Sequence, residues 1–258
     1  MVERVTISHP RLPAGFDGVA IAAVADVHAS PLRGGRSRVQ RVVELVNSLH
    51  ADLVCLLGDL VHNARHAPQY VPLFAELEAP HGVWATLGNH EHGFFWYSRY
   101  LGGPRGPSAD EWRCLYAQAG IRLLVNETTA VERNGSRIWL VGVDDAYSDH
   151  ADLSAALPPE PDADFRLAIT HSPDVLDHPR IAELALTIAG HTHGGQIRLP
   201  RLGPLYAPCR RFRERAAGLV NANGTTLYVT RGAGEGFPLR LLCPREISLI
   251  TLRAHSKA

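Results

Sequence analysis

The chain has 258 residues, of which 45% are hydrophobic and 20% charged, and its formal net charge is zero. This length can bury a large core, and the neutral balance gives no general attraction to nucleic acid or anionic membranes. The four cysteines form no CxxC pair, which argues against a disulfide framework and a cysteine zinc site. The one lysine is Lys257, which argues against a P-loop and against Schiff-base chemistry, since both need a lysine in the site. The first residues lack the order of a signal peptide, and no apolar run approaches the length of a membrane span, so we expect a cytoplasmic protein.

Short apolar runs recur along the chain, with helical or loop segments between them. Residues 19–26 are apolar at almost every position, which predicts a strand buried on both faces. Residues 38–50 have valines and leucine at helical spacing, which predicts a helix. A second buried strand is predicted at 52–59 and a second helix at 70–79. Further strands are predicted at 82–89, 137–145, 165–172, 184–191, 226–232 and 246–253.

The order of these elements predicts the fold class. The first half of the chain alternates strands with helices, whereas the second half is rich in strands. This order favours an α/β fold in which two sheets pack together with helices outside. Because the sequence contains no repeat, low-complexity tract or linker, residues 1–258 are predicted to form a single domain.

Residue types that bind metal ions follow five of the predicted strands. Strand by strand, they are Asp26 and His28, Asp59, Asn89 and His90, His171, and finally His191 with His193. Each of them alone has an ordinary alternative as a helix cap, a turn residue or a structural histidine. In open α/β sheets, however, ligands bind outside the carboxyl ends of the strands. Five such strand ends together predict a metal cluster.

The segment IAGHTHGGQIRLP, residues 188–200, places His191 and His193 one residue apart. Alternate residues of an extended segment point to the same side, so we expect both imidazoles to face one point. Gly190, Gly194 and Gly195 would allow backbone angles and close approaches that a Cβ would block. A solvent-exposed polar turn is the alternative for this segment alone. With the other strand ends, the two histidines are predicted to be the last ligands of the metal cluster.

These segments, taken in order, resemble the calcineurin-like metallophosphoesterase superfamily. The segments that carry the resemblance are ADVH (25–28), GD (58–59), GNHE (88–91), His171 and GHTH (190–193). Further stretches look like the bacterial YkuE-like branch of that family, namely GVDD (142–145), THSPD (170–174) and the segment that begins RGAGEGFPLR at residue 231. That branch contains cell-wall-associated phosphodiesterases and relatives that hydrolyse a UDP-diacylglucosamine lipid precursor.

The resemblance implies a four-layer α/β/β/α sandwich of two packed mixed sheets flanked by helices. It also implies two divalent or trivalent metal ions, drawn from Mn, Fe, Zn and Co, since the set contains no thiolate. In the family pattern one ion would be held by Asp26, His28 and His193 and the other by Asn89, His171 and His191, with Asp59 as the bridge. The implied reaction is hydrolysis of a phosphodiester or pyrophosphate bond by a metal-bridging hydroxide, with His90 as the acid.

The sequence departs from the family pattern at three positions. Ala25 replaces a usual serine, and Glu91 stands where many members have aspartate. Many members also carry an aspartate three residues after the bridging one, and in the protein-phosphatase branch it orients the acid histidine. This chain has His62 at that position. The sequence therefore identifies no group that orients His90.

Two other segments are candidates for the substrate pocket. Residues 93–103 contain four consecutive aromatic residues, Phe94 to Tyr97, which either pack over the helical layer or form a lid that binds a base or acyl chain. Residues 208–218 carry four arginines, which form either a solvated face or a site for a charged head group or phosphate. The expected partner is a phosphorylated small-molecule or lipid-linked substrate, with peripheral membrane contact as an option and no sequence-specific binding of nucleic acid.

Three alternative functions remain at this point. A phosphomonoesterase would need arginines near the metal ions to neutralise the extra charge of a monoester. A scaffold without catalysis would usually have lost ligands, but all seven positions match here. An amidohydrolase would carry its HxH pair on the first strand, whereas here DxH comes first and HxH last.

Overall fold

The computed structural model describes residues 1–95, 97–101, 106–157 and 165–254. In chain order its strands are β1 (Val2–His9), β2 (Ala20–Val24), β3 (Leu53–Leu57), β4 (Val83–Thr86), β5 (Arg122–Leu123), β6 (Glu127–Arg133), β7 (Ser136–Val143), β8 (Arg166–Thr170), β9 (Leu186–Ala189), β10 (Arg198–Leu199), β11 (Gly203–Pro204), β12 (Gly218–Ala222), β13 (Thr225–Val229) and β14 (Ile247–Ala254). The first sheet has the order β1-β14-β2-β3-β4-β5 and the second the order β12-β13-β9-β8-β7-β6, and β10 and β11 form a small hairpin. Both sheets are mixed, because β14 runs antiparallel to β2, and β6 and β12 run antiparallel to their neighbours.

The helices are short, apart from two. They are α1 (Gly35–Asn47), α2 (Ala67–Tyr70), α3 (Ser98–Leu101), α4 (Ala109–Gln118), α5 (Leu153–Ala156) and α6 (Phe212–Arg215). Turns of 3₁₀ helix cover Ala14–Phe16, Pro31–Arg33, Ala64–His66, Val71–Glu76, Pro173–Asp177, Ile181–Glu183 and His193–Gly195. Among the residues described, no helix combines the length and apolar character needed to cross a membrane.

The two sheets pack face to face, and this explains the continuous apolar runs. Ile21 and Ala23 of β2 lie in the core between the sheets, with Leu167 and Ile169 of β8. Their neighbours Ala22 and Val24 point the other way, into the core beneath α1. Because side chains alternate along a strand, a strand between two cores must be apolar at every position. The prediction of strands buried on both faces is therefore confirmed.

Helical segments cover the outer faces of both sheets and complete the four layers. One face of α1 buries Val39, Val42, Val43 and Val46 against the first sheet. The outer face of the second sheet carries shorter elements, including α5 and the turn Ile181–Glu183. The predicted α/β/β/α sandwich is confirmed. That residues 1–258 form a single domain stays a prediction.

The second predicted helix is only partly correct, and some elements were missed. Residues 70–79 contain the end of α2 and a 3₁₀ turn, because Pro68 and Pro72 lack the N–H groups that a continuous α-helix needs. Helix α4 was not predicted from the sequence, although Ser108 and Glu111 form a capping box at its start. The edge strands β1, β6 and β12 and the short β5 were not predicted either, because fewer of their positions are buried.

The carboxyl ends of the parallel strands in the two sheets lie side by side. A direct link is the Nδ1–H of His171, after β8 of the second sheet, which donates to the carbonyl oxygen of Leu57 in β3 of the first sheet at 2.7 Å. The Asp26 amide, after β2, donates to the Gly58 carbonyl oxygen at 3.1 Å. The loops that follow β2, β3, β4, β8 and β9 therefore converge on one region.

Candidate metal centre

Asp59 lies between two groups of potential metal ligands. Its Oδ2 atom is 3.6 Å from Nε2 of His28 on one side and 3.4 Å from Nε2 of His171 on the other. Asp59 is almost completely buried, as are both histidines. One carboxylate therefore faces two sets of imidazole nitrogens within a water-poor site.

The first group consists of Asp26, His28 and His193, whose ligand atoms all lie within 4.8 Å of one another. The Nε2 atoms of His28 and His193 are 3.1 Å apart, and Nε2 of His193 is 3.6 Å from Oδ1 of Asp26. Within the described chain, Oδ1 of Asp26 is a buried oxygen without a hydrogen-bond donor. A buried carboxylate oxygen of this kind is costly unless it is paired, and a metal ion between these three residues would pair it.

The second group consists of Asp59, His171 and His191, with Asn89 beside them. Nε2 of His171 is 3.1 Å from Nδ1 of His191 and 3.2 Å from Oδ1 of Asn89. The seven residues predicted as ligands thus come together in two adjacent groups, and their division between two metal ions stays a prediction. No thiolate belongs to either group among the residues described, which suits Mn, Fe, Zn or Co.

Main-chain carbonyl groups fix which nitrogen His171 and His191 present to the site. The Nδ1–H of His171 donates to Leu57, so its Nε2 is the nitrogen that faces the other ligand residues. The Nε2–H of His191 donates to the carbonyl oxygen of Pro208 at 2.6 Å, so its Nδ1 carries the lone pair. Hydrogen bonds of this kind from the second nitrogen orient metal-binding histidines in many proteins.

Three histidines of the site, His28, His191 and His193, favour the neutral form, which is the form that binds metal ions. Burial, with the neighbouring His90 and His193, lowers the pKa of His28 well below its ordinary value. Burial, with the guanidinium of Arg240, does the same for the pKa of His193. Burial and the charge of His171 lower the pKa of His191 to about 4. Neutral imidazole is the ligand form, so these shifts favour metal binding at neutral pH.

The centre of the site favours a positive charge. Burial acts to raise the pKa of Asp59, but the charges of His171 and His90 outweigh it and lower the pKa well below its ordinary value. For His171, burial is outweighed by Asp59, which raises the pKa well above the ordinary value. Burial raises the pKa of Asp26 to about 7. The site therefore stabilises a cation next to Asp59, which is the position where the ligand groups meet.

The local backbone is strained at five of the seven predicted ligand positions. Asp26, His28, Asp59, His191 and His193 all have positive φ angles, between 48° and 70°. The left-handed region costs a residue other than glycine about 1–3 kcal/mol and persists where the surrounding fold enforces it. Such strain clusters at functional sites.

The GHTH turn differs from its predicted geometry. His191 and His193 do not lie on an extended segment but on a tight left-handed turn, and their imidazoles face different groups of ligands. The prediction that both point to one spot was therefore wrong, because the positive φ angles rotate the two side chains apart. The predicted roles of the glycines are confirmed: Gly194 and Gly195 have positive φ, and a Cβ at Gly190 would lie 2.9 Å from Oδ2 of Asp26.

Glu91 fastens the loop that carries Asp59. Its carboxylate accepts hydrogen bonds from the amides of Asp59 at 2.7 Å, Leu60 at 2.9 Å and Gly88 at 2.9 Å, and a longer one from Val61 at 3.4 Å. Its side chain is completely buried, and this burial raises its pKa to about 7 although the amide donors act against the shift. Glu91 thus joins the turn after β4 to the turn after β3.

His90 lies beside Asp59 and is held by the main chain of His62. The Nδ1–H of His90 donates to the carbonyl oxygen of His62 at 2.6 Å. Its Nε2 lies 3.8 Å from Oδ2 of Asp59, and its amide donates to Oδ1 of Asp59 at 2.9 Å. The imidazole thus presents Nε2 to the region between the two ligand groups. A main-chain carbonyl occupies the orienting position for which the sequence offered no side chain.

Residues 19–195 match the family model for the calcineurin-like phosphoesterases. The chain belongs to the calcineurin-like metallophosphoesterase family. This family uses a dinuclear metal centre, and its members are hydrolases of phosphoesters, in agreement with the two groups of aspartate and histidine found here.

Other metallophosphoesterases match most of the chain. The metallophosphoesterase YkuE of Bacillus subtilis (strain 168) is 30% identical over 254 residues, which cover 96% of this chain and 84% of that protein. The phosphodiesterase YaeI of Escherichia coli (strain K12) is 29% identical over 238 residues, which cover 90% of this chain and 81% of that protein. Among solved structures, a dimetal phosphatase from Danio rerio aligns with a TM-score of 0.45 and 13% identity, over 86% of this chain and 90% of that chain.

Aromatic residues of this metallophosphoesterase border both groups of ligands. Phe95 packs edge-on against His90, with ring centroids 4.8 Å apart, and stacks on Tyr97. The ring centroids of Tyr147 and His191 are 4.4 Å apart, and Phe94 packs edge-on against Tyr147. Two of the predicted aromatics, Phe94 and Phe95, therefore contact residues at the site rather than the helical layer alone. Trp96 and residues 102–105 lie outside the described residues.

Two further residues near the site, Tyr147 and Arg240, were not predicted from the sequence. Tyr147 follows the GVDD segment, which had signalled the family branch but no site residue. Arg240 approaches the site, with Nη2 3.4 Å from Nδ1 of His193. Its guanidinium also donates to the carbonyl oxygens of Arg231 at 2.8 Å, His193 at 3.1 Å, Cys243 at 3.2 Å and Gly234. Arg240 therefore holds three loop segments together.

The predicted arginine segment is divided between two environments. Arg215 is buried and forms an ion pair with Asp177 at 2.7 Å, so it belongs to no solvated face. Arg210, by contrast, has 64% of its side chain exposed. The interpretation as a solvated arginine face is therefore wrong for Arg215 and agrees with the exposure of Arg210.

Proposed function

We propose that the chain is a dinuclear metal-dependent phosphoesterase that hydrolyses phosphodiester or pyrophosphate bonds. The observation that carries this proposal is the position of Asp59, whose Oδ2 lies 3.6 Å from Nε2 of His28 and 3.4 Å from Nε2 of His171. A carboxylate shared between two sets of ligands is what two neighbouring dications require, because it screens their repulsion.

The residues for each metal ion follow from the two groups. We assign one ion to Asp26, His28 and His193 and the other to Asn89, His171 and His191, with Asp59 between them. The unpaired oxygen of Asp26, the neutral histidines and the preference for positive charge at Asp59 fit Mn, Fe, Zn or Co. When bound, two such ions supply an activated water and neutralise the oxygens of the phosphoryl group.

His90 is proposed as the acid that protonates the leaving group. Because its Nδ1–H is committed to the carbonyl oxygen of His62, Nε2 is the nitrogen that can give a proton to a substrate beside Asp59. The carbonyl holds the ring at that position, and the edge of Phe95 packs against it. Orientation of this kind is what general acid catalysis requires of the donor.

The charges around the site favour a diester or a pyrophosphate over a monoester. A monoester dianion needs free cationic donors, but Arg240, the arginine that approaches the ligands, donates to four main-chain carbonyl groups. Phe95 and Tyr147 instead offer apolar surface to a second substituent of the phosphate. The name of YaeI, a phosphodiesterase, agrees with this choice.

The partner and the location of the protein are also proposals. We infer a phosphorylated small-molecule or lipid-linked substrate, with no sequence-specific nucleic acid, for a cytoplasmic single-domain enzyme. No specific contact among the described residues favours the two alternative functions, a scaffold without catalysis and a phosphomonoesterase.

A measurement of metal content with two model substrates tests the proposal. The purified chain is stripped with a chelator and reloaded with Mn, Fe, Zn or Co in separate samples. We expect about two ions per chain and a higher kcat/KM for bis-p-nitrophenyl phosphate than for p-nitrophenyl phosphate. Two ions without turnover would support a scaffold, and a clear preference for the monoester would support a phosphomonoesterase.

A further inference from the structure

A small platform extends from the GHTH turn to the protein surface. It consists of residues 196–206, which include the β10–β11 hairpin, and residues 236–242. The two segments are joined because the Leu241 amide donates to the Gln196 carbonyl oxygen at 2.9 Å and the Arg198 amide donates to the Leu241 carbonyl oxygen at 3.0 Å. The side chain of Gln196 adds bonds to the carbonyl oxygens of Phe237 at 2.6 Å and Leu239 at 2.8 Å. Hydrogen bonds therefore join the two segments of the platform into one structural unit.

Large apolar side chains on this platform face the solvent. Each is between 47% and 66% exposed, and they are Leu202, Leu205, Tyr206, Phe237, Leu239, Leu241 and Leu242. They are seven of the eleven exposed large hydrophobic residues in the described part of the chain, although the platform is a small part of it. Such a concentration marks a surface for binding an apolar partner.

The two segments around these apolar residues contain basic residues but no acidic ones. Residues 196–213 and 236–245 contain no aspartate or glutamate, although the whole chain has equal numbers of acidic and basic residues. The same two segments contain seven arginines, Arg198, Arg201, Arg210, Arg211, Arg213, Arg240 and Arg245. Arg201 and Arg211 are exposed, while Arg245 forms an ion pair with Glu235. The platform thus combines exposed leucines with exposed positive charge.

We propose that this platform is a docking surface for an anionic lipid bilayer. Leucine and aromatic side chains would enter the boundary between head groups and acyl chains, and the neighbouring arginines would contact lipid phosphates. Anionic lipids attract each arginine near the bilayer surface. A second copy of the chain fits less well, because a symmetric dimer through this surface would bring arginines against arginines.

The platform lies close to the candidate metal centre, so docking to a bilayer would also position that centre. The platform begins three residues after His193, and a Cβ at Gly236 would lie 3.2 Å from Nε2 of that histidine. Docking would therefore hold the ligand groups next to the bilayer surface. The docking surface does not depend on catalysis, so its test needs no substrate.

Co-sedimentation of the full chain with vesicles tests the proposal. Vesicles of phosphatidylcholine and phosphatidylglycerol in equal parts are compared with vesicles of phosphatidylcholine alone. We expect binding to the anionic vesicles that weakens as salt is added. Leu205→Ser and Leu239→Ser should each lower the binding constant about tenfold, and Arg201→Gln about fivefold.

Matched variants elsewhere on the surface serve as controls. Leu219 is 49% exposed, as Leu205 is, and lies on β12 at the edge of the second sheet, so Leu219→Ser should leave binding unchanged. Arg36→Gln, at an exposed position of α1, is the control for Arg201→Gln. Unchanged thermal unfolding midpoints show that the variants are folded.

Three outcomes would overturn the proposal. They are no binding to the anionic vesicles, equal binding to both kinds of vesicle, and equal losses for the platform and control variants. Sedimentation velocity without lipid gives a further check. A dimer that is lost in Leu205→Ser and Leu239→Ser but kept in Leu219→Ser would assign the surface to a second copy of the chain instead.

Discussion

The Nδ1–H of His90 donates a hydrogen bond of 2.6 Å to the main-chain carbonyl oxygen of His62. In the protein-phosphatase branch of the family an aspartate side chain orients the corresponding histidine, and this chain has His62 at that position. A carbonyl group accepts the same proton without adding a negative charge. The acid proposed for this enzyme is therefore oriented by the backbone.

His90→Ala should keep both metal ions and lose activity in a way that depends on the leaving group. General acid catalysis contributes about 10²–10⁴ to the rate, so a diester with a poor leaving group should lose that much. The loss should be smaller with p-nitrophenolate, which departs with little help from a proton. Metal analysis and kcat for the two diesters measure the effect, with His81→Ala as the control. Equal losses for both leaving groups would indicate that His90 stabilises charge instead.

His62→Ala should lose far less activity than His90→Ala. The substitution removes the imidazole but keeps the main-chain carbonyl that holds His90. We expect kcat within about one order of magnitude of the unmodified enzyme, because the orienting hydrogen bond persists. Kinetics with the poor leaving group measure it. A loss as large as that of His90→Ala would show that the His62 side chain itself takes part.

Asp59→Asn should lose at least one metal ion and most of the turnover. A neutral amide cannot screen two dications, and Asp59 is the carboxylate that faces both groups of ligands. Elemental analysis after reloading, together with kcat for bis-p-nitrophenyl phosphate, measures the change. Asp149→Asn, at an exposed position, is the matched control. Near-normal rates with two bound ions would remove Asp59 from the bridging role.

Glu91→Gln should weaken both folding and metal binding. The glutamine side chain keeps one oxygen that can accept hydrogen bonds, but it replaces the other oxygen with an NH₂ group. That group would face backbone N–H donors that bond to the carboxylate of Glu91, and it cannot accept from them. An unsatisfied buried N–H costs about 1–3 kcal/mol, so we expect the free energy of unfolding to fall by about that amount. Urea unfolding and metal titration are the measurements. Glu78→Gln, on the exposed surface, is the control, and equal stabilities of the two variants would contradict the role of Glu91.

Phe95→Ala and Tyr147→Ala should raise KM for a bulky diester more than for a small one. Both rings border the ligand groups and offer surface to the second substituent of the phosphate. Tyr100→Ala is the control, since its side chain is 83% exposed on α3. The ratio of KM values for a bulky and a small diester measures the effect. If the ratio is unchanged in both variants, the substrate lies elsewhere.

His92 should stabilise the protein more at acidic than at alkaline pH. Burial acts to lower its pKa, but the 2.8 Å hydrogen bond to Asp144 outweighs burial and raises the pKa. A histidine with a raised pKa in the folded state contributes stability that is present below its unfolded pKa and is lost as pH rises through the folded value. His92→Gln should therefore cost more unfolding free energy near about pH 6 than near about pH 9. Urea unfolding at the two pH values, with His81→Gln as control, tests this sign.

The sequence alone determined the fold class and which residues are candidate metal ligands. The apolar runs before Asp26, Asp59 and His171 form strands buried on both faces, because each strand lies between two cores. Parallel strands end at the same edge, so residues that follow them are brought together whatever the details of the loops. This is why candidate ligands that are distant in the chain could be selected from short local patterns.

Only the tertiary structure decided how these residues are held and what surrounds them. The carbonyl of His62 and the amides bound by Glu91 are main-chain groups, which every residue type other than proline carries alike, so no sequence pattern marks them. Tyr147 and Arg240 reach the site through loop paths that local spacing does not determine. The left-handed turn at His191 and His193 likewise depends on contacts with distant segments, because its strained backbone angles are stable only where the surrounding fold enforces them.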